Sequence, residues 1–142
     1  MTPEQIAAAR LSGAADLELV DAVLDAIQRL YDAVEGVSST DQMMFSLAVC
    51  EISTNIAVHA RPLDEHDEVL VDVELSIDDL ALAATFVDNA QPAQIALRAL
   101  VLPDESRESG RGLVLVRSAV DDLSHEAARG NIWRLRRLRR PD

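Results

Sequence analysis

Residues 69–87 carry the pattern that most restricts the fold of this chain. Apolar and polar residues alternate from Val69 to Ile77, which predicts a half-buried strand, and residues 80–87 form a nearly continuous apolar run that suits a central strand. Only Asp78 and Asp79 connect the two predicted strands. A turn this short joins neighbouring antiparallel strands, so the sequence predicts a β-hairpin within a larger sheet.

Helix signals flank this hairpin on both sides. A helix with a continuous apolar stripe is predicted at 17–34, between the capping residue Asp16 and Gly36, and a second at about 38–60, before Pro62. Further elements are expected at residues 6–11 (a short edge strand), 93–102 (a short helix), 112–120 (a helix), 122–127 and 131–138 (strands). This order predicts an α+β fold: a two-layer α/β sandwich with a mixed, mostly antiparallel sheet and helices on one face.

The length and composition favour a single globular domain. The 142 residues fit one domain, taken as residues 1–142, and an apolar content of 49% is ample for a core. No apolar run approaches the roughly 18 residues of a membrane span, and the N-terminus lacks the pattern of a signal peptide. Cys50 is the single cysteine, so no internal disulfide can form, and it is interpreted as a small core residue. A cytoplasmic protein without membrane contact is expected.

The charge of the chain is acidic and unevenly spread. The net charge is −12, yet the last nine residues carry five arginines and one acid. An acidic body repels phosphates, which argues against direct binding of nucleic acid. The tail allows two interpretations, a basic patch for phosphate or an acidic partner, or a solvated edge strand whose charges block further pairing, and the second is favoured. Its arginines are Arg134, Arg136, Arg137, Arg139 and Arg140.

The chain contains no lysine. This excludes a P-loop lysine, a Schiff-base lysine and the β3 lysine of the protein-kinase fold. Any phosphate must therefore be held by backbone N–H groups, by arginine or by a metal ion.

The second helix carries the first of three polar motifs, Glu51-x-x-x-Asn55-x-x-x-His59. Residues four apart are offset by about 40° around a helix, so these side chains follow one border of the apolar stripe. A carboxylate there can activate a hydroxyl, and an amide oxygen can bind Mg²⁺. Taken alone, the motif is more simply the polar flank of a buried helix.

The other two motifs follow the central strand and open the third helix. Asp88 comes directly after the apolar run, where a carboxylate can accept a hydrogen bond from the exocyclic amine of adenine. Gly110-Arg111-Gly112 stands at a helix start, where glycine permits positive φ and close approach of the backbone to phosphate. The plain alternatives are that Asp88 is an ordinary acid at a strand end and that the two glycines form a flexible hinge. Together, the three motifs favour a nucleotide pocket.

With these residues the chain resembles the GHKL ATPases, which share the Bergerat ATP-binding fold. Within them it is most similar to the anti-sigma-factor serine/threonine kinases of bacterial partner-switching systems. Residues 49–60 resemble the N box of that family, residues 87–92 its first glycine box, and residues 110–116 its second. Residues 130–135 resemble its final strand pair, and the similarity extends over about residues 8–138.

The resemblance implies ATP and Mg²⁺ as cofactors and gives each matched residue an expected role. Glu51 is expected to be the general base for a partner's serine or threonine hydroxyl, Asn55 to coordinate Mg²⁺, and Asp88 to bind the adenine amine. Residues of about 93–109 are expected to form a lid over the phosphates. The full set of expected ATP-binding residues is Asn55, Asp88, Ala90, Gly110, Arg111, Gly112 and Leu113.

The resemblance also implies partners. Such kinases bind and silence a sigma factor, and they phosphorylate a STAS-domain anti-anti-sigma protein that would otherwise release it. Many form homodimers, and the apolar stripe of residues 17–34 fits either an internal or a dimer interface.

Ala90 marks a departure from the family pattern, which has glycine at this position. If the backbone there needs positive φ, alanine destabilises the adenine pocket. This observation keeps a second hypothesis open, a partner-binding regulatory module of the same fold with weak or no kinase activity. A third hypothesis, a small α/β adaptor with accidental motif matches, is disfavoured by the ordered set of three motifs.

Overall fold

The computed structural model describes residues 5–93 and 111–141. Its elements are, in chain order, β1 (Gln5–Ala14), α1 (Leu17–Ala33), α2 (Ser39–His59), β2 (Leu70–Asp78), β3 (Ala81–Asp88), α3 (Arg111–Ala119), β4 (Asp122–Ala128) and β5 (Gly130–Leu138). The predicted order of helices and strands is confirmed in these ranges. The short helix expected at 93–102 and the lid expected at 93–109 lie, apart from Ala93, outside the described residues.

The strands form one sheet in the order β1-β2-β3-β5-β4. Every pair of neighbouring strands described here is antiparallel, so the prediction of a mostly antiparallel sheet is confirmed and its mixed component is wrong. Two helices, α1 and α2, connect β1 to β2. The second helix brings the chain back to the end of the sheet where β1 finished, so β2 runs antiparallel to β1.

The three helices cover one face of the sheet. The alternation in β2 buries Val71, Val73, Leu75 and Ile77 against them, as the sequence predicts. Helix α1 begins after Asp16, whose carboxylate accepts a hydrogen bond from the Leu19 N–H at 3.0 Å. Helix α2 begins after Ser38 in the same way. Most of the predicted stripe of α1 is buried within the fold, although Leu17 is 64% exposed.

The arginine-rich C-terminal strand does not lie at the edge of the sheet, where it was expected. Strand β5 lies between β3 and β4, so it is not an edge strand. Arg137 is buried and forms a 2.9 Å ion pair with Asp41 at the start of α2, and it donates to the Ala119 carbonyl at the end of α3. The interpretation as a solvated edge strand is therefore wrong, and Arg137 is not available to a basic patch on the surface. The other contacts are Arg134 with Glu126, Arg136 with Asp122, Arg139 with two backbone carbonyls and Arg140 with Asp121.

Within the described part of the chain, no helix combines the length and the apolar character needed to cross a membrane. Cys50 is half-buried rather than part of the buried core, with its sulfur 4.0 Å from the Thr54 hydroxyl.

Candidate active site

The polar motif of α2 lies where the sequence predicts it, on the border of the buried face. Its neighbours Val49 and Ile52 are fully buried, whereas Glu51 and Asn55 are half-buried. His59 is exposed and is the last residue of the helix. The buried neighbours fix the rotation of α2 and thereby hold both Glu51 and Asn55 at the edge of the core.

Glu51 lies directly against the start of α3. A Cβ atom built on Gly112 would lie 2.6 Å from Glu51 Oε2 and 3.6 Å from Glu51 Cδ. The first turn of a helix carries unpaired N–H donors and a partial positive charge, which favour a carboxylate or a phosphate. The structure therefore brings two of the three predicted motifs into contact, the carboxylate of the first and the second glycine of the third.

The sequence suggested two reasons for glycine at position 112, positive φ and close approach of the backbone to another group. The structure does not show the first. Among the described glycines, positive φ occurs at Gly36 and Gly130, and not at Gly112. Close approach of the Glu51 carboxylate, rather than backbone conformation, is what a side chain at this position would meet. Leu113 is partly buried and packs against the core, which anchors the first turn of α3. Gly110 and the side chain of Arg111 lie outside what the structure describes.

Asp88 ends β3 as a buried carboxylate, with 5% of its surface exposed. Its Oδ1 atom accepts two hydrogen bonds at 2.9 Å, from the Ala90 N–H and from the Asn131 side-chain amide. Oδ2 takes part in neither bond. A buried carboxylate with one oxygen fixed in this way can present the other to a ligand donor, so this residue fits the amine-binding role expected of it.

Ala90 adopts an ordinary backbone conformation, because no described residue other than glycine has positive φ. The expected strain at this position is therefore absent. Ala90 is fully buried, forms a β-bridge with Pro62, and is followed by Gln91, whose N–H donates to the Arg61 carbonyl at 2.7 Å. These bonds tie the loop after β3 to the chain that leaves α2. The first and third motifs thus meet at Glu51 and Gly112, and the loop of the second pairs with the segment that follows α2.

Two residues beside Asp88 belong to the segment 130–135, which the sequence assigned to the final strand pair and not to the site. Gly130 has a φ of +130°, and a Cβ there would overlap the Asp88 carbonyl oxygen, so only glycine lets β5 begin against the end of β3. Asn131 pairs directly with Asp88 across the two strands. The turn at Arg129-Gly130 could locate the start of a strand, but no sequence signal gave the register that places Asn131 opposite Asp88.

The residues present fit a nucleotide with its metal ion. The described residues contain no cluster of three or more His, Cys, Asp or Glu side chains that could hold a metal by themselves. A single amide ligand at Asn55 suits Mg²⁺, which commonly takes few protein ligands and completes its shell with phosphate and water. A shallow depression of about 440 Å³ on the opposite face of the sheet, beside Arg10 and Glu74, contains none of the predicted site residues.

Comparison with known proteins identifies similar domains. Residues 13–137 match the family model described as a histidine kinase-like ATPase domain. A search of curated protein sequences found no match.

Two solved structures share the fold. One contains the RsbU and RsbW domains of Rv1364c from Mycobacterium tuberculosis; it is 17% identical, with a TM-score of 0.62, and the match covers 95% of this chain and 33% of that one. The other is the histidine kinase domain of the blue-light activated histidine kinase from Erythrobacter litoralis EL346. It is 18% identical, with a TM-score of 0.53, and the match covers 84% of this chain and 58% of that one. The chain therefore spans a third of the first protein and over half of the second.

Proposed function

Because the chain belongs to the histidine kinase-like ATPase domain family, we propose that it is an ATP-dependent serine/threonine protein kinase that also acts as a cytoplasmic anti-sigma factor. The observation that carries this proposal is the contact between the Glu51 carboxylate and the backbone at Gly112, the start of α3. It places a proton acceptor beside a helix N-terminus, a position suited to hold phosphate.

In this proposal the two ends of the nucleotide are bound by different parts of the site, the adenine by Asp88 and the phosphates by the start of α3. Asp88 accepts a hydrogen bond from the adenine amine through Oδ2, while Oδ1 stays bound to Ala90 and Asn131. The N–H groups at the start of α3, with Gly110, Arg111, Gly112 and Leu113, hold the phosphates, and residues of about 93–109 form the lid. Asn55 provides an oxygen ligand for Mg²⁺. When bound, Mg·ATP supplies the phosphoryl group that is transferred.

The catalytic part of the proposal rests on Glu51. Its carboxylate accepts the proton of a partner's serine or threonine hydroxyl as that oxygen becomes the nucleophile. Close packing against Gly112 restricts the carboxylate to a position next to the phosphate-binding turn. Positioning of this kind contributes much of the rate in phosphoryl transfer, where the protein has little covalent chemistry to perform.

The partners in this proposal are a sigma factor, which the chain sequesters, and a STAS-domain anti-anti-sigma protein, which it phosphorylates. The sequence resemblance to anti-sigma-factor kinases supports this assignment, and so does the fold shared with a protein that contains an RsbW domain. The alternative, a partner-binding module with weak or no kinase activity, depended on strain at Ala90. The ordinary backbone at that residue removes the reason to prefer it.

A phosphotransfer assay tests the proposal. The purified chain is mixed with Mg·ATP and each STAS-domain protein encoded in the same genome, and the products are analysed by mass spectrometry. We expect one STAS-domain protein to gain a single phosphate on serine or threonine. A sigma factor should co-purify with the chain and be displaced by the unphosphorylated form of that same protein. ATP binding without phosphate transfer to any of these proteins would favour the partner-binding alternative.

A further inference from the structure

A chain of hydrogen bonds connects Asp88 to a histidine on the edge strand β4. The Asn131 side-chain amide donates to Asp88 Oδ1 at 2.9 Å and to the Gln91 carbonyl at 3.0 Å. Its oxygen is 2.7 Å from both the Ala93 backbone nitrogen and His125 Nε2. Asn131 is 4% exposed, so this is a buried junction between β3, β5, β4 and the loop after β3.

The partners of Asn131 fix the direction of every bond. Asp88 Oδ1 and the Gln91 carbonyl are acceptors, so the NH₂ group of Asn131 must face them. The oxygen of Asn131 then faces the Ala93 N–H, which donates to it. His125 can bond to the same oxygen solely as a donor, which places a proton on its Nε2 atom.

His125 is held in place by its own surroundings. It lies opposite Trp133 in the pairing of β4 with β5, and the two ring centroids are 4.4 Å apart with the rings inclined at 46°. Trp133 is almost fully buried and therefore provides a rigid support. The orientation of His125 is thus set by packing, and that of Asn131 by four hydrogen bonds.

From this geometry we propose that His125 and Asn131 are positioning residues that set the purine specificity of the site. They hold Asp88 in one orientation, with Oδ1 occupied, so that Oδ2 meets a 6-amino group and disfavours a 6-oxo group. Asn131 also ties the backbone at Gln91 and Ala93, the residues that lead from the adenine side into the segment 94–110. This inference rests on the proposed ATP site and goes beyond it by assigning discrimination between adenine and hypoxanthine nucleotides.

The test compares ATP with ITP, in which a carbonyl oxygen replaces the 6-amino group. Calorimetric titrations in the presence of Mg²⁺ give the Kd of each nucleotide for wild type, Asn131→Leu, His125→Phe and His125→Gln. Phe preserves the ring stack on Trp133 but lacks the donor, whereas Gln can place an amide N–H near the position of Nε2. His66→Phe serves as a control, because His66 is exposed and its side chain lies against Glu65 rather than against Asn131 or Asp88.

We expect wild type to prefer ATP by at least about tenfold, since a site built to accept a hydrogen bond rejects an analogue that lacks the donor. Asn131→Leu should lower this preference about tenfold, chiefly by weakening the binding of ATP. His125→Phe should lower it about threefold. His125→Gln should restore the wild-type preference and His66→Phe should retain it.

Two results separate the inference from the proposed function. Asn131→Leu could weaken the binding of ATP and ITP equally, or both Asn131→Leu and His125→Phe could leave the preference for ATP unchanged. Either result would show that these residues support the fold alone and would overturn the inference. A wild-type protein that binds neither nucleotide would overturn the proposed function and this inference with it.

Discussion

Glu51 lies so close to Gly112 that a Cβ added to Gly112 would be 2.6 Å from Glu51 Oε2, and the carboxylate would have to move to admit it. The two residues are far apart in the chain, one in the middle of α2 and the other at the start of α3. Their contact gives the carboxylate a defined position beside a helix N-terminus. In the proposed kinase, it couples the general base to the phosphate-binding turn.

Gly112→Ala tests this contact directly. The new methyl group must displace the Glu51 carboxylate, and we expect phosphotransfer to the STAS-domain substrate to fall at least about tenfold, since misplaced catalytic groups lose rate steeply. The free energy of unfolding should be unchanged or up to about 1 kcal/mol higher, because alanine is a better helix former than glycine. Gly13→Ala is the control, since its Cβ would make an ordinary 3.7 Å contact with Leu19. Full activity in Gly112→Ala would refute the coupling.

Glu51→Gln separates proton acceptance from nucleotide binding. Glutamine keeps the shape of the side chain but is a far weaker base, so phosphotransfer should fall about 10²-fold or more, while the Kd for Mg·ATP changes less than about threefold. Single-turnover transfer and calorimetry measure the two quantities. Glu18→Gln, at an exposed position on α1, should behave as wild type. Equal transfer rates for Glu51→Gln and wild type would exclude Glu51 as the base.

Arg137→Met should destabilise the fold far more than Arg134→Met. Removing the Arg137 guanidinium leaves Asp41, which is fully buried, without its ion-pair partner, and such losses typically amount to about 3–5 kcal/mol. Arg134 pairs with Glu126 at a site where both side chains are more than half exposed, and exposed pairs contribute about 1 kcal/mol or less. Urea unfolding at pH 7 measures both values. Similar values for the two variants would contradict the structural role assigned to Arg137.

Tyr31 should make the fold sensitive to alkaline pH. Burial raises the pKa of Tyr31 to about 12, opposed by the hydrogen bond to Ser46 and reinforced by the Asp41 carboxylate. The unfolded chain loses this proton near pH 10, whereas the folded chain retains it. The stability contributed by the neutral phenol is therefore complete below pH 10 and is lost between about pH 10 and 12, by roughly 2–3 kcal/mol in total.

Tyr31→Phe provides the check. The variant lacks the hydrogen bonds to Gln42 and Ser46 and should be less stable at pH 8, but its stability should fall less steeply above pH 10. The absence of lysine from the chain leaves few other groups to titrate in this range. Urea midpoints at intervals from pH 8 to 11.5 measure the slopes. Identical slopes for Tyr31→Phe and wild type would contradict the raised pKa.

Local patterns were sufficient to predict the helices and strands of the described residues. The alternation in Val69–Ile77, the short turn at Asp78-Asp79 and the caps at Asp16 and Ser38 all correspond to observed element boundaries within a few residues. Each of these signals depends on residues close together in the chain. The helical spacing of Glu51 and Asn55 likewise gave their place at the edge of the buried face.

Relationships between distant segments were not predictable in the same way. Strand β5 was expected at an edge, yet it pairs with β3, more than forty residues earlier, and this insertion buries Arg137 and brings Asn131 opposite Asp88. The sequence of β5 contains no signal for its neighbour. The contact of Glu51 with Gly112 depends in turn on how α2 packs against α3, which is a property of the assembled core.

Binding of ATP at Asp88 is measured by calorimetric titration with ATP and Mg²⁺ of wild type and of Asp88→Asn. We expect micromolar binding by wild type and at least about tenfold weaker binding by Asp88→Asn, because the amide replaces the charged acceptor for the adenine amine. No binding by wild type would contradict the proposed nucleotide site, and equal affinity in the two proteins would contradict the role of Asp88 in it.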